Sequence, residues 1–160
     1  MDEDKEPEKI YVSWEKVHEM CKTIVERLNE LPFVPDVIIT PLRGGAIPAV
    51  IIAYLLEMRN IIAVNAERTE DDSVNAENKD LVLERLPTKE QIENKNILFI
   101  DEIVDSAETW TKIHAYLSSL SPKKIVSATL YSATHQRQAN SPAIDISIKD
   151  ADKWVVFPWE

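Results

Sequence analysis

Residues 97–109 run Ile97-Leu98-Phe99-Ile100-Asp101-Glu102-Ile103-Val104-Asp105-Ser106-Ala107-Glu108-Thr109. The apolar run Ile97 to Ile100 is the kind expected of a strand buried on both faces of a parallel sheet. It stops at Asp101 and Glu102, passes Ile103 and Val104, and meets Asp105 and Ser106 just before an amphipathic helical pattern. The order predicts a strand, an acidic edge, a short turn and a helix start. Ligands of open α/β sheets bind beyond the carboxyl ends of the strands. A helix N-terminus at that place offers free N–H groups and the positive end of a dipole, which suit phosphate. Ser106 and Thr109 add hydroxyl donors. Asp101 and Glu102 would repel a phosphate but suit sugar hydroxyls or a hydrated Mg²⁺. A sugar with a phosphate at one end and a diol at the other satisfies both halves. A plainer account makes the acids a solubilised strand end, with Ser106 as N-cap and Glu108 as a first-turn acid.

Composition bounds the rest. The chain has 160 residues, 44% of them hydrophobic, which fits a single domain, residues 1–160, with one substantial core. Its formal charge of −10 argues against a broad basic surface for nucleic acid or anionic membrane, so any phosphate site must rely on local donors and metal. One cysteine, Cys21, forms no internal disulfide and fits a reducing compartment. No run approaches a membrane span and the start MDEDKEPEKI lacks signal-peptide character, so the expected location is cytoplasmic. With only Gly44 and Gly45 available, neither a G-x-G-x-x-G fingerprint nor a Walker A loop is present.

Along the chain, residues 1–9 are charged and predict a frayed arm. Ile10 to Val12 predicts a short strand, and Ser13 an N-cap. Val17, Cys21, Ile24, Leu28 and Leu31 recur at helical steps up to Pro32. Val37 to Ile39 predicts a short strand, interrupted by Thr40-Pro41-Leu42-Arg43-Gly44-Gly45 before an almost wholly apolar helix, Ala46 to Met58. Both glycines of the protein thus fall in one strand-to-helix turn beside an arginine, which favours close backbone approach to a ligand. Ile61 to Val64 predicts a strand, followed by a long polar stretch from Asn65 and a returning strand at Leu81 to Leu86. Thr88 with Gln91 has the form of a capping box. The helix after the acidic turn is expected from Ser106 to about Leu120, a buried strand at Ile125 to Tyr131, and an edge strand through Ile144, Ile146 and Ile148. The last residues, 149–160, end in Trp154-Val155-Val156-Phe157-Pro158-Trp159-Glu160.

Asp101, Glu102, two apolar residues and Asp105-Ser106-Ala107-Glu108-Thr109 resemble the phosphoribosyl-diphosphate motif of the type I phosphoribosyltransferases. Arg43-Gly44-Gly45 resembles the diphosphate loop of that family, and the Trp154 to Glu160 tail is similar to that of its bacterial xanthine–guanine members. The resemblance implies an α/β fold with a central, mostly parallel sheet flanked by helices and a flexible hood, here residues 65–86, that excludes water from a hydrolysable donor. It implies transfer of a phosphoribosyl group to a purine base, with release of diphosphate and Mg²⁺ as cofactor. Asp101 and Glu102 would hold the ribose hydroxyls and, through substrate or water, the metal. Ser106, Ala107, Glu108 and Thr109 would hold the 5′-phosphate, and Arg43, Gly44 and Gly45 the diphosphate. Asp105 would serve the base as acceptor or proton acceptor, and Trp154 with Val155 would bind it. The expected partners are phosphoribosyl diphosphate, a nucleobase and a second copy of the chain.

Two positions depart from the pattern. Ala107 stands where the family usually has Gly, so its Cβ would crowd the phosphate or oppose a left-handed backbone angle. Ala133 stands where members acting on 6-oxopurines carry a lysine. Together these departures leave room for an altered substrate, and Ala107 supports the alternative of a relative that binds a nucleotide or phosphorylated ribose without transfer. A receiver-type phosphotransfer domain is disfavoured because both acids and Asp105 fall within one turn, and a haloacid-type phosphatase because Asp101 and Ile103 do not make D-x-D.

Overall fold

The computed structural model describes residues 6–68, 80–137 and 139–160. Its centre is β5, Asn96–Val104, flanked in parallel by β2, Val37–Leu42, and by β6, Lys124–Ser132. β3, Ile61–Arg68, pairs parallel with β2, and β7, Ile146–Asp150, parallel with β6. β4, Leu81–Glu84, returns antiparallel along β3, giving the order β4-β3-β2-β5-β6-β7. β1, Lys9–Tyr11, and β8, Trp154–Val156, form a separate two-stranded parallel sheet.

Alternation along β5 divides its side chains between two cores. Leu98 and Ile100 pack with α1, Trp14–Asn29, and α2, Ala46–Leu55, in a cluster holding Val17, Cys21, Ile24 and Ile52. Ile97 and Phe99 face the other side, where Ile92 of α3, Lys89–Ile92, and Trp110, Ile113 and Leu117 of α4, Glu108–Ser119, complete the second cluster. This is the central, mostly parallel, helix-flanked sheet that the resemblance implies.

Several elements differ from the expected bounds. β5 does not stop at the acids: β6 continues beside it, pairing Asp101 with Thr129 and Val104 with Ser132. β2 likewise runs through Pro41. Its ladder to β5 ends at Ile39 while that to β3 continues to Leu42, so the proline lies where the strand is paired on one side only. β3 extends four residues beyond the expected Val64 because β4 supplies an antiparallel partner. Within the expected hood, residues 69–79 lie outside the described residues.

Helix ends also shift. Ser13 caps α1 as expected, its hydroxyl accepting from the Lys16 N–H at 3.1 Å, but the helix ends at Asn29, ahead of Pro32. α2 ends at Leu55. Glu57 adopts φ 55° and the Met58 N–H donates to the Ala53 carbonyl at 2.8 Å, closing the helix without a glycine. Lys9, assigned above to a frayed arm, is a strand residue. Residues 1–5 of that arm lie outside the described residues.

Candidate active site

β2 and β5 end side by side, and the turns that follow them face one another. The first turn carries Arg43, Gly44 and Gly45 into the start of α2, and contains a cis peptide between Leu42 and Arg43. The second carries Asp105, Ser106 and Ala107 into α4. Between them lies a cavity of about 210 Å³ lined by the Arg-Gly-Gly turn, Asp101, Glu102 and every residue from Asp105 to Trp110. A neighbouring groove of about 430 Å³ shares Arg43, Gly44 and Glu102 with it and adds Ile47, Trp159 and Glu160. The acidic motif and the glycine turn, far apart in sequence, thus share one site.

Ala107 adopts φ 66°, ψ 17° at the N-cap of α4. The alanine therefore takes the left-handed angle it was expected to oppose, its methyl buried in the second core. Ser106 is not the N-cap; α4 begins at Glu108, and Thr111 N–H makes the bond to the Ala107 carbonyl at 2.9 Å. The earlier N–H groups of the first turn have no intrahelical partner by construction. Asp105 is exposed, one of its oxygens accepting from the Ser106 N–H at 2.6 Å.

The two acids of β5 project from opposite faces of the strand, and their environments differ accordingly. Asp101 is 8% exposed and accepts from the Glu102 N–H at 2.8 Å. Burial, and then the Glu102 and Asp105 charges, push its carboxyl well above the ordinary range. Glu102 lies over the glycine turn: a Cβ built on Gly44 would meet its Oε2 at 1.7 Å. Burial, followed by the charges of Glu160 and Asp105, raises the Glu102 carboxyl to about 7. Its Oε2 is buried without a hydrogen-bond partner. The space above Gly45 is bounded partly by backbone, since a Cβ there would meet Thr40 Oγ1 at 2.6 Å, the Pro41 carbonyl at 2.8 Å and Asp101 Oδ1 at 3.0 Å.

A model of the phosphoribosyl transferase domain matches residues 9–160. The chain belongs to that family. Among curated proteins it is 26% identical over 159 residues to the xanthine-guanine phosphoribosyltransferase of Ruegeria sp. (strain TM1040), covering 94% of this chain and 84% of the relative. Among solved structures, the purine phosphoribosyltransferase of Pyrococcus horikoshii Ot3 superposes with a TM-score of 0.79 at 25% identity, covering 95% of this chain and 93% of that one. The xanthine-guanine-hypoxanthine phosphoribosyltransferase of Helicobacter pylori has the same fold, with a TM-score of 0.77 at 24% identity over 96% and 94% of the two chains. The phosphoribosyltransferase family is one of pentosyltransferases.

Within this phosphoribosyltransferase domain, the expected residues from Arg43 to Gly45 and from Asp101 to Thr109 come together in one cavity. The expected tail residues stand apart from it. Trp154 is 66% exposed on the two-stranded sheet, and the Val155 side chain is packed in the first core. Neither lines either cavity; the tail residues that do are Trp159 and Glu160. The acid after Pro158-Trp159 was visible in the sequence, but nothing in its spacing tied it to Glu102. Ala133 is buried, its N–H bonded to the Val104 carbonyl at 2.8 Å and its carbonyl accepting from Gln136 at 2.9 Å.

The donor set suits a hard divalent cation: carboxylate oxygens, one of them buried and unpartnered, at the mouth of a polar cavity. Among the described residues no group of three or more His, Cys, Asp or Glu could hold a metal ion. A Mg²⁺ ion there would need oxygens from a substrate or from water to fill its shell. No helix among the described residues is long and apolar enough to cross a membrane.

Proposed function

We propose that this chain transfers the 5-phosphoribosyl group of phosphoribosyl diphosphate to a nucleobase, a purine, with release of diphosphate. The observation that carries this reading is the meeting of the Arg43-Gly44-Gly45 turn and the 101–109 motif in one cavity. Asp101 and Glu102 orient the ribose hydroxyls. The Ser106 and Thr109 hydroxyls, with the N–H groups of Ala107, Glu108 and Thr109, hold the 5′-phosphate at the start of α4. Arg43 and the backbone of Gly44 and Gly45 receive the diphosphate. Asp105 accepts a hydrogen bond, or a proton, from the ring nitrogen that attacks the anomeric carbon. Trp154, exposed on the tail outside both cavities, is assigned to the base as a flat stacking face, with Val155 beside it. Asp101 and Glu102 would hold Mg²⁺ through substrate oxygens and water, and the chemistry supplied there would be charge neutralisation of the leaving diphosphate.

The decisive experiment supplies Mg²⁺ and phosphoribosyl diphosphate with guanine, xanthine, hypoxanthine, adenine or uracil, and measures diphosphate and nucleotide together. Base-dependent turnover that falls at least about a hundredfold in Asp105→Asn supports the reading. Tight donor or nucleotide binding without turnover with any base would replace it by a non-catalytic binding protein, the alternative for which Ala107 is the sequence support. We also propose that the protein acts in the cytoplasm as a homodimer, formed through the apolar outer face of α2, where Val50 and Tyr54 are exposed. Sedimentation that gives only the 18.3 kDa species at micromolar concentration would exclude the dimer.

A further inference from the structure

The segment Glu8–Trp14 grips the segment Lys153–Glu160 in three ways. β1 pairs with β8 in parallel register, Lys9 with Trp154 and Tyr11 with Val156, and the Val12 N–H extends the ladder to the Val156 carbonyl at 2.9 Å. The Glu8 carboxylate forms an ion pair with the Lys153 ammonium. Trp14, first residue of α1, lies against Trp159 with ring centroids 5.8 Å apart and planes inclined at 51°.

The last of these contacts reaches the candidate site. Trp159 stacks on Phe157 at 4.7 Å and 6°, and the buried Phe157 ring meets Tyr131 of β6 edge-on at 5.9 Å. The turn 157–160 closes on itself: the Glu160 N–H donates to the Phe157 carbonyl, and the Phe157 N–H to Glu160 Oε2, both at 3.1 Å. Trp159 and Glu160 then form one wall of the groove that Arg43 and Glu102 also line. One face of Trp159 is fixed by Phe157, and Trp14 supplies a second aromatic contact.

We propose that Trp14 is a positioning residue for this site: by packing on Trp159 it holds the 157–160 turn, and with it that wall of the groove. Trp14 is half exposed, whereas Val17, Cys21, Ile24 and Leu28 carry the buried face of its helix. Loss of its ring therefore loosens the turn rather than the core. An aromatic pair of this kind shifts an opening equilibrium roughly two- to tenfold. The kinetic consequence, though not the structural one, rests on the transferase reading given above.

Hydrogen exchange is measured on the full chain for the wild type, Trp14→Ala and Trp14→Phe, alongside steady-state kinetics with phosphoribosyl diphosphate varied. In Trp14→Ala the Phe157 and Glu160 amides exchange roughly fivefold faster, those of β5 keep their rates, and Trp14→Phe recovers most of the protection. The donor KM rises several-fold while kcat stays within about twofold. Unchanged exchange at Phe157 and Glu160 overturns the proposal, as does an equal acceleration in β5, which would make Trp14 a support of the whole fold. A loosened turn with unaltered KM overturns the positioning role. A wild type that turns over no base sinks the transferase reading alone; exchange and calorimetric donor binding then decide the role of Trp14 by the same criteria.

Discussion

Gly44 and Gly45 are adjacent, yet a methyl group added at each meets a different kind of neighbour. At Gly44 it strikes the end of the Glu102 side chain, which is free to rotate away. At Gly45 it strikes the Pro41 carbonyl and the buried Thr40 hydroxyl, and backbone does not yield. Gly44→Ala is therefore expected to fold with less than about 1 kcal/mol lost while activity falls, because Glu102 is displaced from the cavity it lines. Gly45→Ala is expected to lose about 2 kcal/mol or more of stability as well. Urea denaturation and turnover measured on both variants check the contrast; equal stability losses would refute it. The need for glycine here was legible from the sequence, because this turn uses both glycines of the chain. Which glycine faces a side chain and which faces backbone was not, since that depends on Glu102 and Thr40 arriving from different strands. Ala107 illustrates the opposite limit. Its left-handed backbone costs roughly 1–2 kcal/mol, and its buried methyl returns part of that, so an alanine persists where the family pattern has glycine.

At the scale of elements, β5 shows why apolar runs locate strands but not their ends. Ile97 to Ile100 declared a two-sided strand, and the two cores on its faces bear this out. Its continuation through Asp101 and Glu102 is decided by β6, whose partner residues lie on the far side of α4 in sequence. The same holds for β2 beyond Pro41 and for β3 beyond Val64, where the neighbouring strand sets the limit. Caps written in local residues were more legible: Ser13 and the Thr88–Gln91 box are both present. Trp110 is the principal anchor between α4 and the sheet, fully buried and stacked on Phe99 at 4.3 Å. Trp110→Ala is expected to destabilise the fold by about 3–5 kcal/mol. Because α4 begins two residues earlier, the same change is expected to weaken phosphate binding, visible as a reduced thermal shift with nucleotide.

For the molecule as a whole, the formal charge of −10 meets a site that gathers more acid still. Glu102 is held up to about 7 by burial and by Glu160, and Asp101 is raised in the same sense. Between the ordinary carboxylate value and about 7, the folded chain retains a proton that the unfolded chain has released. Stability from this source is present below that window, declines as pH rises through it, and is level above. In chelator and without ligand, the protein is expected to melt at a higher temperature at pH 5 than at pH 8, a difference on the order of 1–3 kcal/mol from Glu102. Glu102→Gln is expected to flatten the profile; an unchanged slope would assign it to other groups. The acidic site was legible because its residues are contiguous, whereas the Glu160 contribution required the tail to be folded back onto β5.

That folded tail also gives the chain a mechanical property. β1 and β8 run parallel, so tension applied between Lys9 and Val156 slides one strand along the other and loads their hydrogen bonds together rather than one after another. A short ladder loaded in this way resists as a unit, and the rate of its rupture governs the response to force. The Glu8–Lys153 ion pair and the Trp14–Trp159 contact flank the ladder. A pull along the chain must therefore break this clasp before it reaches the six-stranded sheet, and the first casualty is the wall beside Glu102.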